Sequence, residues 1–422
     1  MQMLPPLAEA LHTAAGLIAA VLAGRNFDVA LARAGLSAPL RAATMDLAYP
    51  TLRAFGRGDF LLGLLLERPL KDATARALLL AALTRLETRA EEAHTTVDQA
   101  VTAAAGLARG QFKGLVNGVL RNFLRRREEL LALADADPVA RRQHPAWWIA
   151  HLRQDHPAHW ESILAAGNSH PPLCLRLNRR RVTSADYRVQ LDAAGLAARA
   201  LDDTAILIDK PVPVERIPGF AAGLCSVQDW GAQAAARLLE VKDGMRVLDA
   251  CAAPGGKAAH LLESADIDLT ALDADAQRAA RIARNLERLG LAATIKVADA
   301  RDIDAWWDGR GFDRILADVP CSASGVVRRH PDAKWLRRES DIAGFAATQK
   351  AIIDALWRTL VPGGKMLYAT CSVFAEENAR QVEAFVGRHA DARHLAMPIA
   401  VQPQHLPDAE HDGFYYALLQ KD

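Results

Sequence analysis

The sequence predicts an α/β protein in which an all-helical domain and a small α+β domain precede a doubly wound domain. Three observations support this order. Ala, Leu and Arg dominate the chain to about residue 130, Pro-containing turns mark residues 140–235, and short apolar runs alternate with amphipathic stretches from 236 onward. Alternation of the last kind is typical of a parallel sheet with helices on both faces. We place the domains at 1–138, 139–235 and 236–422.

The first region is predicted to be helical because its dominant residues are good helix formers and its apolar residues recur at helical spacing. Within it, the span 107–127 contains no acidic residue. Its basic residues are Arg109, Lys113, Arg121, Arg125, Arg126 and Arg127. A charge run can be a solvated helix face or a surface that contacts nucleic-acid phosphates. Both interpretations stay open, and we favour contact with RNA.

The middle region is predicted to be a small separate domain. His144-Pro145 and His156-Pro157 flank a tryptophan pair, and a strand-like run, Leu173–Leu177, leads into Asn178-Arg179-Arg180-Arg181. A strand that ends in three arginines suits binding to a phosphate backbone, but an exposed basic turn explains it equally well.

The third region contains short buried-strand signals at Arg246–Asp249, Leu269–Leu272 and Arg314–Ala317. The stretch Ala280–Leu289 is amphipathic and ends at Gly290, a residue suited to close a helix. Ligands of doubly wound sheets bind beyond the carboxyl ends of the strands. The residues that follow each strand are therefore the candidates for function.

The first candidate is the loop after the strand 246–249. It reads Asp249-Ala250-Cys251-Ala252-Ala253-Pro254-Gly255-Gly256-Lys257. Glycines after a strand let the backbone approach a ligand closely. The loop lacks the spacing of a phosphate-binding P-loop and of a dinucleotide-binding glycine motif. It fits the zwitterionic methionine part of S-adenosylmethionine, which needs no phosphate nest.

Acidic residues follow the next strands. Asp273 can bind ribose hydroxyls or cap the next helix, and Asp275 is available as the alternative cap. Asp299 can accept the adenine amino group or form an Asx turn. We also place Arg278 among the expected cofactor contacts.

Two cysteines follow strands in the same domain, Cys321 after Asp318-Val319-Pro320 and Cys371 after Tyr368-Ala369-Thr370. A lone cysteine is usually a small buried hydrophobe, but two at strand ends indicate chemistry. C5 of cytosine is a poor nucleophile until a thiolate adds to C6. A protonated Asp318 could assist at N3, and Lys257 is a candidate cation for stabilising the thiolate. The residues alone leave open which thiol attacks.

Composition limits the partners, the covalent links and the cellular location that can be expected. The net charge is only +1, so any RNA-binding surface must come from local clustering. The five cysteines are scattered without a C-x-x-C pair, so neither a disulfide framework nor a metal site is expected. The apolar run 14–23 is too short to span a membrane, and no basic segment precedes it. We expect a cytoplasmic monomer.

Several motifs together resemble the RsmB (Sun/Fmu) family of bacterial rRNA cytosine-C5 methyltransferases. These are 251–257, 318–321, 369–372, 328–335 and 412–416, with 112–125 similar to the family's NusB-like N-terminal domain. The usual family pattern has Ala where Val319 stands and Pro where Ala375 stands, and neither position touches a reacting atom.

The resemblance implies a Rossmann-like, S-adenosylmethionine-dependent methyltransferase domain that acts on C5 of a cytosine in small-subunit (16S) rRNA, and not on DNA. It implies that Cys371 is the nucleophile and that Cys321 assists product release. The loop Cys251–Lys257 with Asp273, Asp299 and Asp318 would form the cofactor site, and Asp318 would also face the base.

Two other functions remain possible at this stage. An exocyclic-amine methyltransferase also holds an acid where Asp318 lies, but needs no thiol. A non-catalytic RNA-binding protein with a relic methyltransferase domain would not bind the cofactor. To act on a base within folded RNA, the enzyme must turn that base out or choose an unstacked one. His330 or Trp335 could stack against such a base, with structural packing as the competing interpretation for Trp335.

Overall fold

The computed structural model describes residues 5–397 and 402–422, and its contacts divide the chain into two compact units. One unit contains the residues up to Ser169 together with Val327–Glu339, and the other contains His170–Val326 and Ser340–Asp422. The predicted domains 1–138, 139–235 and 236–422 remain a prediction, and the start of the first lies outside the described residues. Nothing in the sequence signalled that 327–339 would belong to the first unit.

The first unit is helical, as predicted. Its helices are α1 (Leu7–Leu22), α2 (Phe27–Arg33), α3 (Ala38–Arg53), α4 (Phe55–Leu65), α5 (Ala73–Thr88), α6 (Ala93–Ala105), α7 (Lys113–Arg125), α8 (Arg127–Ala136), α9 (Pro138–Arg142), α10 (Ala146–Asp155) and α11 (Trp160–Asn168). Helix α5 is buried at almost every position from Ala75 to Leu86, which is why its sequence is apolar on all sides. Helices α1, α3, α4, α6 and α7 pack against it.

The second unit begins with a small antiparallel sheet. Its strands are β1 (Leu173–Leu177), β2 (Ala198–Ala200), β3 (Ala205–Ile208) and β4 (Cys225–Val227), in the order β2-β3-β1-β4, with α12 (Ser184–Ala193). Strand β1 has the predicted bounds. In the basic turn after it, Arg180 forms an ion pair with Asp266 at 2.7 Å and Arg181 donates to the carbonyl of Ala222 at 2.7 Å. Two of the three arginines are therefore held by the protein itself.

The second sheet of this unit has the order β10-β12-β9-β8-β5-β6-β7, with β11 paired to β12. Its strands are β5 (Arg246–Ala250), β6 (Asp268–Asp273), β7 (Thr294–Val297), β8 (Phe312–Asp318), β9 (Leu360–Thr370), β10 (Ala392–Leu395), β11 (Gln404–His405) and β12 (Phe414–Lys421). The remaining helices are α13 (Trp230–Leu239), α14 (Gly256–Ser264), α15 (Ala276–Leu289), α16 (Ile303–Trp306), α17 (Ala333–Leu336, in the helical unit), α18 (Glu339–Trp357) and α19 (Ala379–Arg388).

Strands β5 to β9 are mutually parallel, and β10 to β12 are antiparallel additions at one side. Successive residues of β5 enter different cores, Val247 on one face of the sheet and Leu248 on the other. The sheet is thus covered on both faces, which explains its near-continuous apolar strands. The predicted Rossmann-like architecture is confirmed, and the carboxyl ends of these parallel strands meet at one edge.

The segment 327–339 is anchored firmly inside the helical unit. The ammonium group of Lys334 donates to the carbonyls of Arg53 and Gln143, both at 2.9 Å, and to Oδ1 of Asn168 at 2.8 Å. Burial lowers the pKa of Lys334 well below its usual range, and Arg53 adds to this effect. The indole of Trp335 donates to the carbonyl of Leu52 at 2.8 Å. The structure therefore shows Trp335 in a packing role.

No helix in the two described ranges is long and apolar enough to cross a membrane.

Candidate active site

The sheet's carboxyl edge brings most of the predicted site residues to one place. Cys251 directly follows β5, Asp273 ends β6 and Asp318 ends β8. Cys371 directly follows β9, and Cys321 lies in the loop that leaves β8. Because these strands are parallel neighbours, residues separated by more than a hundred positions in sequence converge at one edge of the sheet.

The loop 251–257 turns sharply from β5 into α14. Gly255 has a φ of +97°, and a Cβ there would lie 3.1 Å from Cα of Ile282. Glycine suits that position, because the left-handed backbone would strain any side chain and a Cβ would press against Ile282. The preceding Ala253–Pro254 peptide is cis. Small residues throughout this loop leave its backbone accessible to a bound ligand.

Asp273 is joined to this loop. Its carboxylate accepts from the amides of Ala253 and Asp275, each at 3.1 Å, and lies 3.4 Å from the guanidinium of Arg278. Asp275 caps α15, as the sequence suggested, so Asp273 is not needed as a cap. A carboxylate offers about four acceptor positions, so Asp273 retains capacity for a ribose hydroxyl. Arg278 also donates to the carbonyl of Ala253 at 3.3 Å, which ties the loop to α15.

Asp299 adopts the Asx turn considered from the sequence. Its Oδ1 accepts from the amide of Arg301 at 2.9 Å, and its Oδ2 lies 2.6 Å from the Arg301 guanidinium. Hydrogen bonding by Arg301 lowers the pKa of Asp299. The side chain is 41% exposed, so a contact with an adenine amino group remains a prediction.

Lys257 and Asp318 form an ion pair, with Nζ 2.6 Å from Oδ2. Burial opposes the charge on Lys257, but Asp318, and to a lesser degree Cys371 and Asp249, raise its pKa above the ordinary value. From the sequence, Asp318 was expected to be a protonated donor to N3 of the base. In the structure the Lys257 ammonium donates to Oδ2 of Asp318. The raised pKa of Lys257 keeps this ammonium positively charged.

The sulfur atoms of Cys321 and Cys371 are 3.3 Å apart. This contact and burial both raise the pKa of the Cys321 thiol well above its usual range, and the charge of Glu377 adds to them. Burial and nearby carboxylates raise the pKa of Cys251 to about 12, so this third thiol is unsuited to nucleophilic attack. The two thiols that the sequence singled out therefore lie in direct contact.

Sequence reasoning missed Arg176, on β1 of the small sheet. This residue holds the loop Cys251–Lys257, called the cofactor loop below, in place. Its fully buried guanidinium binds both carboxylate oxygens of Glu263 at 2.8 Å and the carbonyl of Gly256 at 2.7 Å. It also donates to Oε1 of Gln228 at 2.5 Å. The available signal was a charged residue in the otherwise apolar run Leu173–Leu177, since burying a charge requires a partner.

Substituting Arg176→Lys is expected to weaken binding of S-adenosylmethionine about tenfold, equivalent to about 1.4 kcal/mol. A lysine cannot reproduce the two-pronged contact with Glu263 and also reach the Gly256 carbonyl. Titration calorimetry measures the affinity, and circular dichroism checks that the variant is folded. Arg179→Lys, in the exposed turn after β1, is the matched control. Unchanged affinity in a folded Arg176→Lys protein would contradict the bracing role.

Within residues 5–397 and 402–422, no group of three or more His, Cys, Asp or Glu side chains is arranged to hold a metal ion.

Comparison with known proteins gives consistent results along the chain. Residues 236–420 match the family described as "16S rRNA methyltransferase RsmB/F", 144–215 match its ferredoxin-like domain, and 10–125 match the NusB family. Among curated proteins, "Ribosomal RNA small subunit methyltransferase B" of Serratia proteamaculans is 45% identical over 389 residues, which is 90% of each chain.

Solved structures support the fold. The crystal structure of PH0851 superposes with a TM-score of 0.83 at 22% identity and covers 99% of both chains. NSun6 from Pyrococcus horikoshii, crystallised with SFG, gives a TM-score of 0.57 at 19% identity and covers 66% of this chain and 98% of its own. At such identities the similarity establishes the shared architecture only.

Proposed function

The chain belongs to the RsmB/F family of 16S rRNA methyltransferases, and on that premise we propose that it methylates C5 of a cytosine through a covalent adduct with Cys371. Membership makes small-subunit rRNA the substrate and S-adenosylmethionine the methyl donor. The single observation that carries the finer proposal is the 3.3 Å contact between the Cys321 and Cys371 sulfurs, at the sheet edge that also holds the Lys257–Asp318 pair.

The residues at the sheet edge suit the cofactor. The loop Cys251–Lys257 would hold the methionine part through its backbone, Asp273 the ribose, and Asp299 the adenine, with Asp318 bordering the methyl group and Arg278 fixing the loop. The glycine at 255, where a Cβ would be strained and crowded, supports such a close backbone approach. When bound, S-adenosylmethionine supplies a methyl group activated by a sulfonium centre.

Cys371 would open the reaction by bonding through Sγ to C6 of the cytosine ring. The C5–C6 double bond is then lost, its electrons shift toward C5, and C5 becomes nucleophilic enough to be alkylated. Afterwards the hydrogen on C5 leaves as a proton to a base, the C5–C6 double bond forms again and the C6–S bond breaks. Without a thiol, the aromatic ring would have to react directly.

The Lys257–Asp318 pair would orient the base. Cytosine presents a donor at its amino group and an acceptor at N3. The pair presents the complementary groups, an ammonium donor on Lys257 and a carboxylate acceptor on Asp318. A positive charge near N3 also stabilises the electron density that thiolate addition places on the ring.

Cys321 would act when the product leaves. The contact with Cys371 and burial raise the pKa of its thiol, and its sulfur lies 3.3 Å from the Cys371 sulfur. It can therefore donate a hydrogen bond to the sulfur that departs from C6, which makes that sulfur a better leaving group.

The helical unit supplies a basic surface for the RNA. Lys113, Arg121 and Arg125 are exposed on α7 at spacings of eight and four residues, which places them on one face of the helix. By contrast, Arg126 pairs with Glu129, and Arg127 donates to backbone carbonyls at the end of α5. We propose that the face with Lys113, Arg121 and Arg125 contacts phosphates. The monomeric state, the cytoplasmic location and the absence of DNA binding remain predictions.

Bisulfite sequencing of 16S rRNA tests the site of methylation. We expect one cytosine to resist conversion in cells that contain the protein, to become convertible when the gene is deleted, and to be protected again by the wild-type gene but not by Cys371→Ala. Nucleoside chromatography with mass spectrometry then separates 5-methylcytidine from the N4-methylated isomer. An unchanged conversion pattern, or an N4-methyl product, would overturn the proposal.

A further inference from the structure

A single buried carboxylate, that of Glu377, lies between the two loops that carry Cys321 and Cys371. Glu377 ends the short 3-10 turn Ala375–Glu377 after β9, and its side chain is completely buried. From the sequence, Ala375 at the start of this turn stood out only as a departure from the family pattern, and Glu377 had no predicted role.

The contacts of Glu377 are divided between the loops. Its Oε1 accepts from the amide of Ser322 at 2.7 Å, and its Oε2 accepts from the hydroxyl of Ser322 at 2.5 Å. Its Oε2 also accepts from the hydroxyl of Ser372 at 2.6 Å. Ser322 directly follows Cys321, and Ser372 directly follows Cys371. One carboxylate therefore accepts hydrogen bonds from the residue next to each cysteine.

Buried neighbours complete the arrangement. The amide of Gln349 donates to Oε1 of Glu377 at 3.1 Å and to the carbonyl of Pro320 at 3.0 Å, and Pro320 directly precedes Cys321. The hydroxyl of Tyr368 donates to the backbone carbonyl of Glu377 at 2.6 Å. Ser322, Ser372, Gln349 and Tyr368 have no exposed surface. A backbone bond from Gly325 to the carbonyl of Cys371, at 2.9 Å, runs parallel to this side-chain connection.

A buried carboxylate imposes geometry because its desolvation must be compensated by donors. An ionised carboxylate can only accept, and the Ser322 amide can only donate. If either cysteine loop moved away, at least one oxygen of Glu377 would lose a donor in a site without water access. Displacement of the loops is therefore costly, and the 3.3 Å distance between the sulfurs is maintained.

We propose that Glu377 is the positioning residue that holds the Cys321 loop and the Cys371 loop together, so that the two sulfurs remain in contact. The proposal rests on the proposed function in so far as that contact serves methyl transfer to cytosine. The positioning itself is a separate claim, because the proximity of two thiols can be measured without any RNA.

The test compares Glu377→Gln with Glu376→Gln. Glutamine keeps the size of Glu377 but replaces one acceptor oxygen with a donor, which faces the serine donors of both loops. Glu376, on the same turn, is the matched control because, in the described part of the chain, it makes no hydrogen bond to either cysteine loop. Each variant is assayed for Cys321–Cys371 disulfide formation with diamide, which oxidises the two thiols and is itself reduced to the hydrazine. Peptide mass spectrometry quantifies the disulfide.

We expect Glu377→Gln to slow disulfide formation at least tenfold. Adduct formation with RNA that contains 5-fluorocytosine should fall about 100-fold, the effect of a displacement of about 1 Å at a reacting group. Affinity for S-adenosylmethionine should stay within twofold, since Glu377 makes no contact with the cofactor loop among the residues described. A purely structural role would instead lower the unfolding temperature and leave the disulfide rate of the folded protein unchanged.

The outcomes separate the two claims. A wild-type rate of disulfide formation in folded Glu377→Gln would overturn the positioning role. If the wild-type enzyme forms no adduct, the proposed function fails, but the diamide assay still decides the role of Glu377. If Glu377→Gln does not fold, Ser372→Ala is subjected to the same assays, and an unchanged disulfide rate there would equally contradict the proposal.

Discussion

Replacing Cys371 with alanine is expected to reduce methylation by a factor of about 10⁴ or more and to abolish the covalent complex with 5-fluorocytosine RNA. Fluorine at C5 cannot leave as a cation, so an enzyme that attacks C6 becomes trapped on such RNA. Without the Cys371 sulfur no bond to C6 can form, and C5 remains a poor nucleophile. Transfer of a radioactive methyl group measures turnover, and a denaturing gel reveals the trapped protein–RNA species.

The Cys371→Ala result is informative only if the variant still binds its cofactor. We expect calorimetry to give the wild-type affinity for S-adenosylmethionine, because the cofactor contacts are assigned to other side chains. Cys174→Ala, which removes a buried thiol from β1, is the matched control and should keep full activity. Normal activity of Cys371→Ser would instead favour methylation of the exocyclic amine, a reaction that needs no thiol.

The elements of the sheet were predictable because their signals are local. The predicted strand 269–272 lies inside β6, and the predicted run 314–317 lies inside β8. The helix predicted to end before Gly290 does so, and Gly290 adopts the left-handed conformation expected of a closing residue. Once these strands are placed in parallel, the rule that ligands bind at their carboxyl ends brings Asp273, Asp318 and Cys371 together without further information.

The residues that hold the site residues in place were not predictable, because their hydrogen-bond partners are distant in sequence. Arg176 and Glu263 are 87 positions apart, and Ser322 and Glu377 are 55 apart. Neither Glu263 nor Glu377 belongs to a local sequence pattern that predicts a buried hydrogen-bond donor as its partner. Only the three-dimensional arrangement shows that Glu263 binds Arg176, which contacts the cofactor loop. It also shows that Glu377 contacts both cysteine loops. Sequence motifs thus identified the groups assigned to the chemistry, whereas tertiary packing identified those that hold them.

The pairing of Asp318 with Lys257 illustrates a second limit. An acid at a strand end in an apolar domain suggested a neutral carboxyl group, which burial alone would favour. The structure places the Lys257 ammonium 2.6 Å away, where it donates to Oδ2 of Asp318. Both residues were chosen from the sequence, but their pairing depends on the side-chain geometry where β8 and α14 meet.

Replacing Cys321 with alanine is expected to have the opposite signature to Cys371→Ala: a stable covalent complex with ordinary cytosine-containing RNA. The nucleophile still attacks, and C5 can still be methylated. The departing sulfur, however, loses the thiol that lies 3.3 Å away and assists its release. Turnover should fall about 100-fold, the usual contribution of one proton donor, while a protein–RNA band accumulates on a denaturing gel.

Two further measurements make the Cys321→Ala result decisive for which thiol attacks C6 and which assists product release. Mass spectrometry of the trapped species should show a methylated pyrimidine bonded to the peptide that contains Cys371, since chemistry precedes the blocked step. The double variant Cys321→Ala/Cys371→Ala should form no complex, because the nucleophile is gone. If Cys371→Ala accumulated the complex and Cys321→Ala prevented it, Cys321 would be the nucleophile, and the proposed roles of the two thiols would be reversed. The attack would then come from the thiol whose pKa is raised by the contact with Cys371, by burial and by the Glu377 charge.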